Sequence, residues 1–156
     1  MNTGFVIREA TVADIPEVLR QRRAMYHDMG HCNEVQLDVM IASSTSYLQD
    51  AMPAGSFRAW LAQSGQGEIA GGGALIVSPW LSRPHSLQCR QASILNVYTY
   101  PRYRRQGIAR LIMQTMIAWC REQHFAYVSL HASEDGKPLY ELLGFEPTTE
   151  MRLKLS

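Results

Sequence analysis

The chain has 156 residues, of which 46% are hydrophobic and 19% charged, and its formal net charge is +1. That length suits one domain with a sizeable core, and the near-neutral balance argues against nucleic acid or an anionic membrane as a partner. Cys32, Cys89 and Cys120 are odd in number and lack C-x-x-C spacing, which argues against a disulfide framework or a cysteine zinc site and for a reducing, cytoplasmic setting.

Taken in order, MNTGFVIREA lacks the charged-then-apolar pattern of a secretory signal, and no segment reaches the apolar length of a membrane span. Phe5 to Arg8 is short and β-rich. Thr11 with Asp14 makes a capping-box-like start for a helix from about Val12 to Met29, with Pro16 near its start. Ile15, Val18, Leu19, Arg22, Tyr26 and Met29 share one face of it, and Gly30 is a reasonable stop. A second helix covers Val35 to Met52, before Pro53 and Gly55. His27 and His31 have the spacing of a paired-histidine zinc site, but Asp28 replaces the needed Glu, Gly30 breaks the helix between them and no third ligand is evident. No metal is expected.

Phe57 to Gln63 reads as a strand, and Ser64 to Gly67 as a hairpin loop into a strand from Glu68 to Pro79. The glycines at 71 to 73 mark either a bulge or close approach, or simply a loosely packed strand. Trp80 to Arg90 is a loop, and Ser93 to Tyr100 is a buried central strand stopped by Pro101.

The turn PRYRRQG then opens an amphipathic helix carrying Ile108, Leu111, Ile112, Thr115, Met116 and Trp119 on one stripe. A strand feeding such a turn aims the helix's unpaired N–H groups at whatever lies above the strand, which suits an anion. Gly107 lets a bulky anion approach the backbone, and Arg104 and Arg105 can add charge-assisted hydrogen bonds. A basic turn is ordinarily a solvated connector, and neither the nucleotide P-loop nor the dinucleotide fingerprint is present; what remains is an R-x-x-G-x-A pattern.

Ala126 to His131 is a further strand, and Ser133 to Gly136 a turn capping a short helix with Leu139, Tyr140, Leu142 and Leu143, ended by Gly144. Phe145 begins a closing strand. Thr149 to Leu155, with Met151, Leu153 and Leu155 alternating against Arg152 and Lys154, reads as its half-buried antiparallel partner.

This order of elements, with NVYTYPRYRRQGIA leading into a helix and LYELLGF near the end, resembles the GNAT superfamily of acyl-CoA-dependent N-acetyltransferases over nearly the whole chain. The resemblance implies a single domain over residues 1–156 with the α/β (in some schemes α+β) acyl-CoA N-acyltransferase fold. That fold has a mixed, mostly antiparallel sheet of about seven strands, a V-shaped splay between strands 4 and 5, and about four flanking helices. It further implies acetyl-CoA as co-substrate. The backbone of Val97, Tyr98 and Thr99, at a bulge, would pair with the pantetheine arm, and Arg104, Arg105, Gln106, Gly107, Ile108 and Ala109 would cradle the pyrophosphate.

Tyr140 matches the position of the tyrosine that protonates the departing thiolate, a task suited to a phenol, although a packed helix aromatic is the plain alternative. Ser133 would touch the coenzyme, while the residues alone read it as a helix cap. Asn96 lies near where some relatives carry a Glu general base, and an amide cannot take a proton; a water chain, or a carboxylate such as Asp28 or Glu34, would have to serve. Tyr26, Asp28 and His31 are candidates for acceptor contact, against the plainer reading of helix-end polarity. The implied reaction is direct acetyl transfer to a primary amine on a small molecule or protein, and the resemblance admits a homodimer. A non-catalytic acyl-CoA-binding or regulatory module is the alternative that Asn96 favours.

Overall fold

Residues 4–156 are described, in a computed structural model. β1 (Phe5–Glu9) leads through a 3-10 turn at Val12–Asp14 into α1 (Ile15–Asp28), and α2 (Glu34–Ala54) follows. Next come β2 (Phe57–Ser64), β3 (Ile69–Pro79), β4 (Arg90–Thr99), a 3-10 turn at Pro101–Tyr103, α3 (Ile108–Glu122), β5 (Val128–Leu130) and α4 (Lys137–Leu142).

Local chemistry explains several of these limits. The Thr11 N–H donates to Asp14 Oδ2 at 2.7 Å, and Arg8 holds both oxygens of that carboxylate at 2.9 Å. The first turn is therefore tight, and regular α-helix begins at Ile15 instead of Val12. Asn33 caps α2 by accepting from the Gln36 N–H at 3.1 Å, and Gly55 ends it in the left-handed region at φ 78°. Pro53 lies in the last turn of α2, where its missing N–H removes one backbone bond without stopping the helix at Met52.

The strands lie in the order β1-β2-β3-β4-β5, antiparallel except for the parallel pair β4–β5. A parallel pair needs a crossover, and α3 supplies it. α3 buries Ile108, Ile112, Met113, Met116 and Cys120 against Leu75, Ala92 and Ile94 on one face of the sheet. α1 and α2 cover the other face, where Ile15, Val18, Leu19 and Leu48 meet Phe57, Leu61 and Ala74. The result is a three-layer α/β fold with β3 in the middle of the sheet.

The glycine run of β3 is closely packed. A methyl group on Gly72 would stand 2.6 Å from Gln21 Oε1, and one on Gly73 would stand 2.8 Å from both Ile112 and Met116. Of the two readings of these glycines, close approach is the one the fold uses.

The expected count of about seven strands is corrected to five among the described residues. Phe145 closes the turn after α4, donating its N–H to the Tyr140 carbonyl at 3.0 Å, and begins no strand. Thr149 to Leu155 forms no ladder either, and Met151, Leu153 and Leu155 are 93%, 80% and 89% exposed. Alternation specifies which side chains a strand would bury, but a ladder also needs a strand edge alongside, and among the described residues the segment pairs with none.

Candidate functional site

The register between β3 and β4 changes at the middle of the sheet. Gly72 faces Tyr98 and Ala74 faces Leu95, so Asn96 and Val97 together oppose Gly73. This is a β-bulge, and Asn96 adopts φ 58°, a left-handed conformation that asparagine tolerates better than most residues. The extra residue inverts the alternation of side chains. Ile94 and Val97 pack with α3, whereas Tyr98 and Tyr100 turn toward α1, where Tyr98 Oη donates to Asp28 at 3.3 Å and Tyr100 Oη to Glu17 at 2.8 Å.

On its other side β4 loses its neighbour. Pairing with β5 covers only Ala92, Ser93 and Ile94, opposite Val128, Ser129 and Leu130, while β4 runs on to Thr99. The two strands splay beyond that point, leaving the β5-facing edge of Val97, Tyr98 and Thr99 outside any ladder. Thr99 Oγ1 is buried there without a hydrogen-bond partner among the described residues.

Just past this edge the chain turns into α3. Arg105 (φ 64°) and Gly107 (φ 79°) are both left-handed, and Gly107, at the helix N-cap, has no side chain to satisfy the first N–H groups. Arg104, Arg105, Gln106 and Gly107 are exposed, whereas Ile108 is buried and Ala109 half-buried. A free strand edge, an orphaned hydroxyl and an uncapped 15-residue helix in sequence fit a ligand with an amide-bearing arm and an anionic end.

Arg104 has other partners as well. Its Nε donates to the Thr99 carbonyl at 2.9 Å, its Nη2 meets Asp28 at 3.0 Å, and its guanidinium lies over the Tyr98 ring. Asp28 thus ties the end of α1 to the basic turn. Burial, followed by the nearby Asp28 charge, raises the pKa of Tyr98; burial and the hydrogen bond to Glu17 raise that of Tyr100 further. Both phenols stay protonated at neutral pH.

Tyr140 lies in α4, half-buried against the α3 side of the core and edge-on to Phe145 at 6.0 Å. Burial raises its pKa too, and its hydroxyl has no hydrogen-bond partner among the described residues. Ser133 Oγ accepts from the Gly136 N–H at 3.1 Å and so closes the turn before α4, whose N-cap is Gly136 and not Ser133. Tyr26, in the last turn of α1, and His31, beyond its end, are edge-on at 5.6 Å, and Glu34 pairs with Arg23 on the exposed surface.

Three residues of α1 join the site without having been singled out as candidates. Gln21, 2% exposed, donates to Glu17 at 3.1 Å, and Arg22 donates to the Asn96 side-chain oxygen at 2.5 Å. The available signal was the composition of the helix face: Arg22 interrupts an otherwise apolar stripe.

Known proteins share this fold. The acetyltransferase (GNAT) family model matches residues 23–145. A GCN5-related N-acetyltransferase from Ralstonia eutropha JMP134 is 33% identical, with 97% of this chain and 99% of that chain covered and a TM-score of 0.89. A predicted acetyltransferase from Clostridium acetobutylicum, crystallised with acetyl-CoA, shares the fold at 24% identity, with 97% and 96% of the two chains covered and a TM-score of 0.85. No curated protein matches the sequence. With this match over most of its length, and with the splayed sheet and basic turn in place, the chain belongs to the GNAT family of acetyltransferases.

Proposed function

We propose that this protein transfers an acetyl group from acetyl-CoA to a primary amine by direct transfer in a ternary complex. The observation that carries this reading is the open edge of β4 at Val97–Thr99 running into the uncapped N-terminus of α3. When bound, acetyl-CoA supplies a thioester whose acetyl carbon forms a bond to the amine nitrogen as its bond to sulfur breaks, so that the products are an amide and a thiol.

The backbone of Val97, Tyr98 and Thr99 offers N–H and C=O groups to the pantetheine arm, with Thr99 Oγ1 beside them. Arg104 to Ala109 surround the pyrophosphate, the helix dipole adding to the arginine charges. Tyr140 gives its proton to the departing sulfur, a role supported by its retained proton and unengaged hydroxyl. The amine's proton leaves through solvent or a carboxylate; Asn96 cannot take it. Tyr26, Asp28 and His31 stand where α1 ends, on the acceptor side of β4. The same reading takes the protein as cytoplasmic and independent of metal. It also takes it as a homodimer, which the unpaired strand-like tail supports.

Titration calorimetry with acetyl-CoA tests the donor. Binding is expected at micromolar concentrations and should be lost on Gly107→Val, because a β-branched side chain opposes φ 79°. No heat from the native protein would sink the reading. The non-catalytic alternative draws on Asn96, whose oxygen is already engaged by Arg22. Coenzyme binding with no thiol release across a broad amine panel would favour it.

A further inference from the structure

Resting on the proposed transferase reading, we infer that the acceptor is an amine that also carries a carboxylate, an amino acid or a close analogue, and that Arg22 binds that carboxylate. Five arginines are half-buried: Arg8, Arg22, Arg23, Arg58 and Arg90. Arg8, Arg23 and Arg58 each pair with a carboxylate, and Arg90 donates to the Gln123 carbonyl and to Gln88 at the far end of β4. Arg22 alone among these has neither an acid nor a backbone carbonyl as partner among the described residues, its acceptor being the neutral side-chain amide of Asn96.

Its contacts hold the guanidinium in place without neutralising it. Nη1 donates to the Asn96 side-chain oxygen at 2.5 Å, Nη2 meets Tyr26 Oη at 3.3 Å, and the Tyr26 ring lies 5.0 Å from Cζ. A guanidinium has five N–H donors in a planar fork shaped for two carboxylate oxygens, and these contacts use two. A partly desolvated cation without a counter-ion is costly unless a ligand completes it.

The neighbouring acids are taken. Glu17 is held by Arg20, Gln21 and Tyr100, and Asp28 by Arg104 and Tyr98. Arg22 is thus the uncompensated charge on the α1 side of the bulge. It is anchored to Asn96, the residue next to the Val97–Thr99 edge. A carboxylate on Arg22 would leave an α-amino group close to that edge. A polyamine would instead bring a second positive charge toward Arg22, which selects against it.

The test is a thiol-release assay with amino acids and their decarboxylated counterparts, among them lysine with cadaverine and phenylalanine with phenethylamine. A substrate amino acid should exceed its counterpart in kcat/KM by about 10- to 100-fold, the contribution of a charge-assisted pair. Arg22→Gln should erase that preference through KM with kcat nearly kept, and Arg22→Lys should restore part of it. Circular dichroism and melting curves check that both variants fold.

Equal use of both members of each pair by the native protein would overturn the inference while leaving the transferase reading intact. A uniform fall in kcat for all amines in Arg22→Gln would also overturn it, since that is what a mere support for the bulge would do. Absence of thiol release from every amine would instead count against the transferase reading. The site is then judged by calorimetry of the amino acids against protein saturated with coenzyme A: binding abolished by Arg22→Gln supports it, and no binding overturns it.

Discussion

A methyl group on Gly71 would lie 2.3 Å from the Tyr98 carbonyl oxygen and 2.9 Å from Thr99 Cα, both backbone atoms that cannot swing aside. Gly71→Ala should therefore push β4 out of register at the bulge and cost about 2 kcal/mol or more in stability, read from the denaturant midpoint, with weaker acetyl-CoA binding alongside. An unchanged midpoint would show that the strands are less tightly opposed than this contact demands. Tyr140 makes the opposite kind of claim, since its hydroxyl supports nothing else in the fold. Tyr140→Phe should lower kcat about 100-fold while leaving coenzyme affinity and melting temperature nearly unchanged. Because burial raises its pKa, the native rate should show no loss from phenol ionisation below about pH 10. Full activity in Tyr140→Phe removes it from the acid role.

At the scale of an element, α1 depends on how it begins. Arg8 and the Thr11 N–H hold Asp14 so firmly that its pKa is pushed down to about 2 from an ordinary 3.8. A carboxylate with a depressed folded-state pKa stabilises the fold above its unfolded value, and that contribution is lost as pH falls through the folded value. The window is thus about pH 4 down to pH 2. Asp14→Asn should cost about 1 kcal/mol at neutral pH, screening at this partly open site keeping the loss modest. It should also flatten the fall in melting temperature across that window. Identical acid profiles for the two proteins would mean that the clamp does not set the stability of α1. The effect reaches the site, because α1 carries Glu17, Arg22 and Asp28 onto β4.

At the scale of the molecule, the tail is the feature that a single chain leaves incomplete. Residues 146–156 make no hydrogen bond with the rest of the described chain, yet the segment alternates like a strand and leaves three large apolar side chains in water. β5 presents a second edge that pairs with nothing among the described strands. Exchange of tails between two copies would satisfy both, so sedimentation should find a dimer for the full chain and a monomer for a chain ending at Glu146. A full-length monomer at micromolar concentration would overturn the exchange.

Local chemistry made much of this protein legible. Thr11 with Asp14, Gly55, the Ser64–Gly67 hairpin and the stripe of α3 announced their elements because caps, turns and periodicity act within a few residues. The motifs around Arg104–Ala109 and Tyr140 carried a resemblance to the GNAT family, to which the chain belongs. Long-range pairing decided the rest. The β3 glycines meant close packing only once β4, Gln21 of α1 and Ile112 and Met116 of α3 were set against them, and the bulge turned Tyr98 and Tyr100 toward α1. Thr149 to Leu155 carries a strand's pattern, yet a ladder needs a partner edge, and no pattern within one segment can state whether its own fold supplies that edge. Arg22 was visible from the start as a charge in an apolar stripe; only the tertiary structure set it against Asn96 and left it without an acid, because a counter-ion's presence depends on every element packed around it.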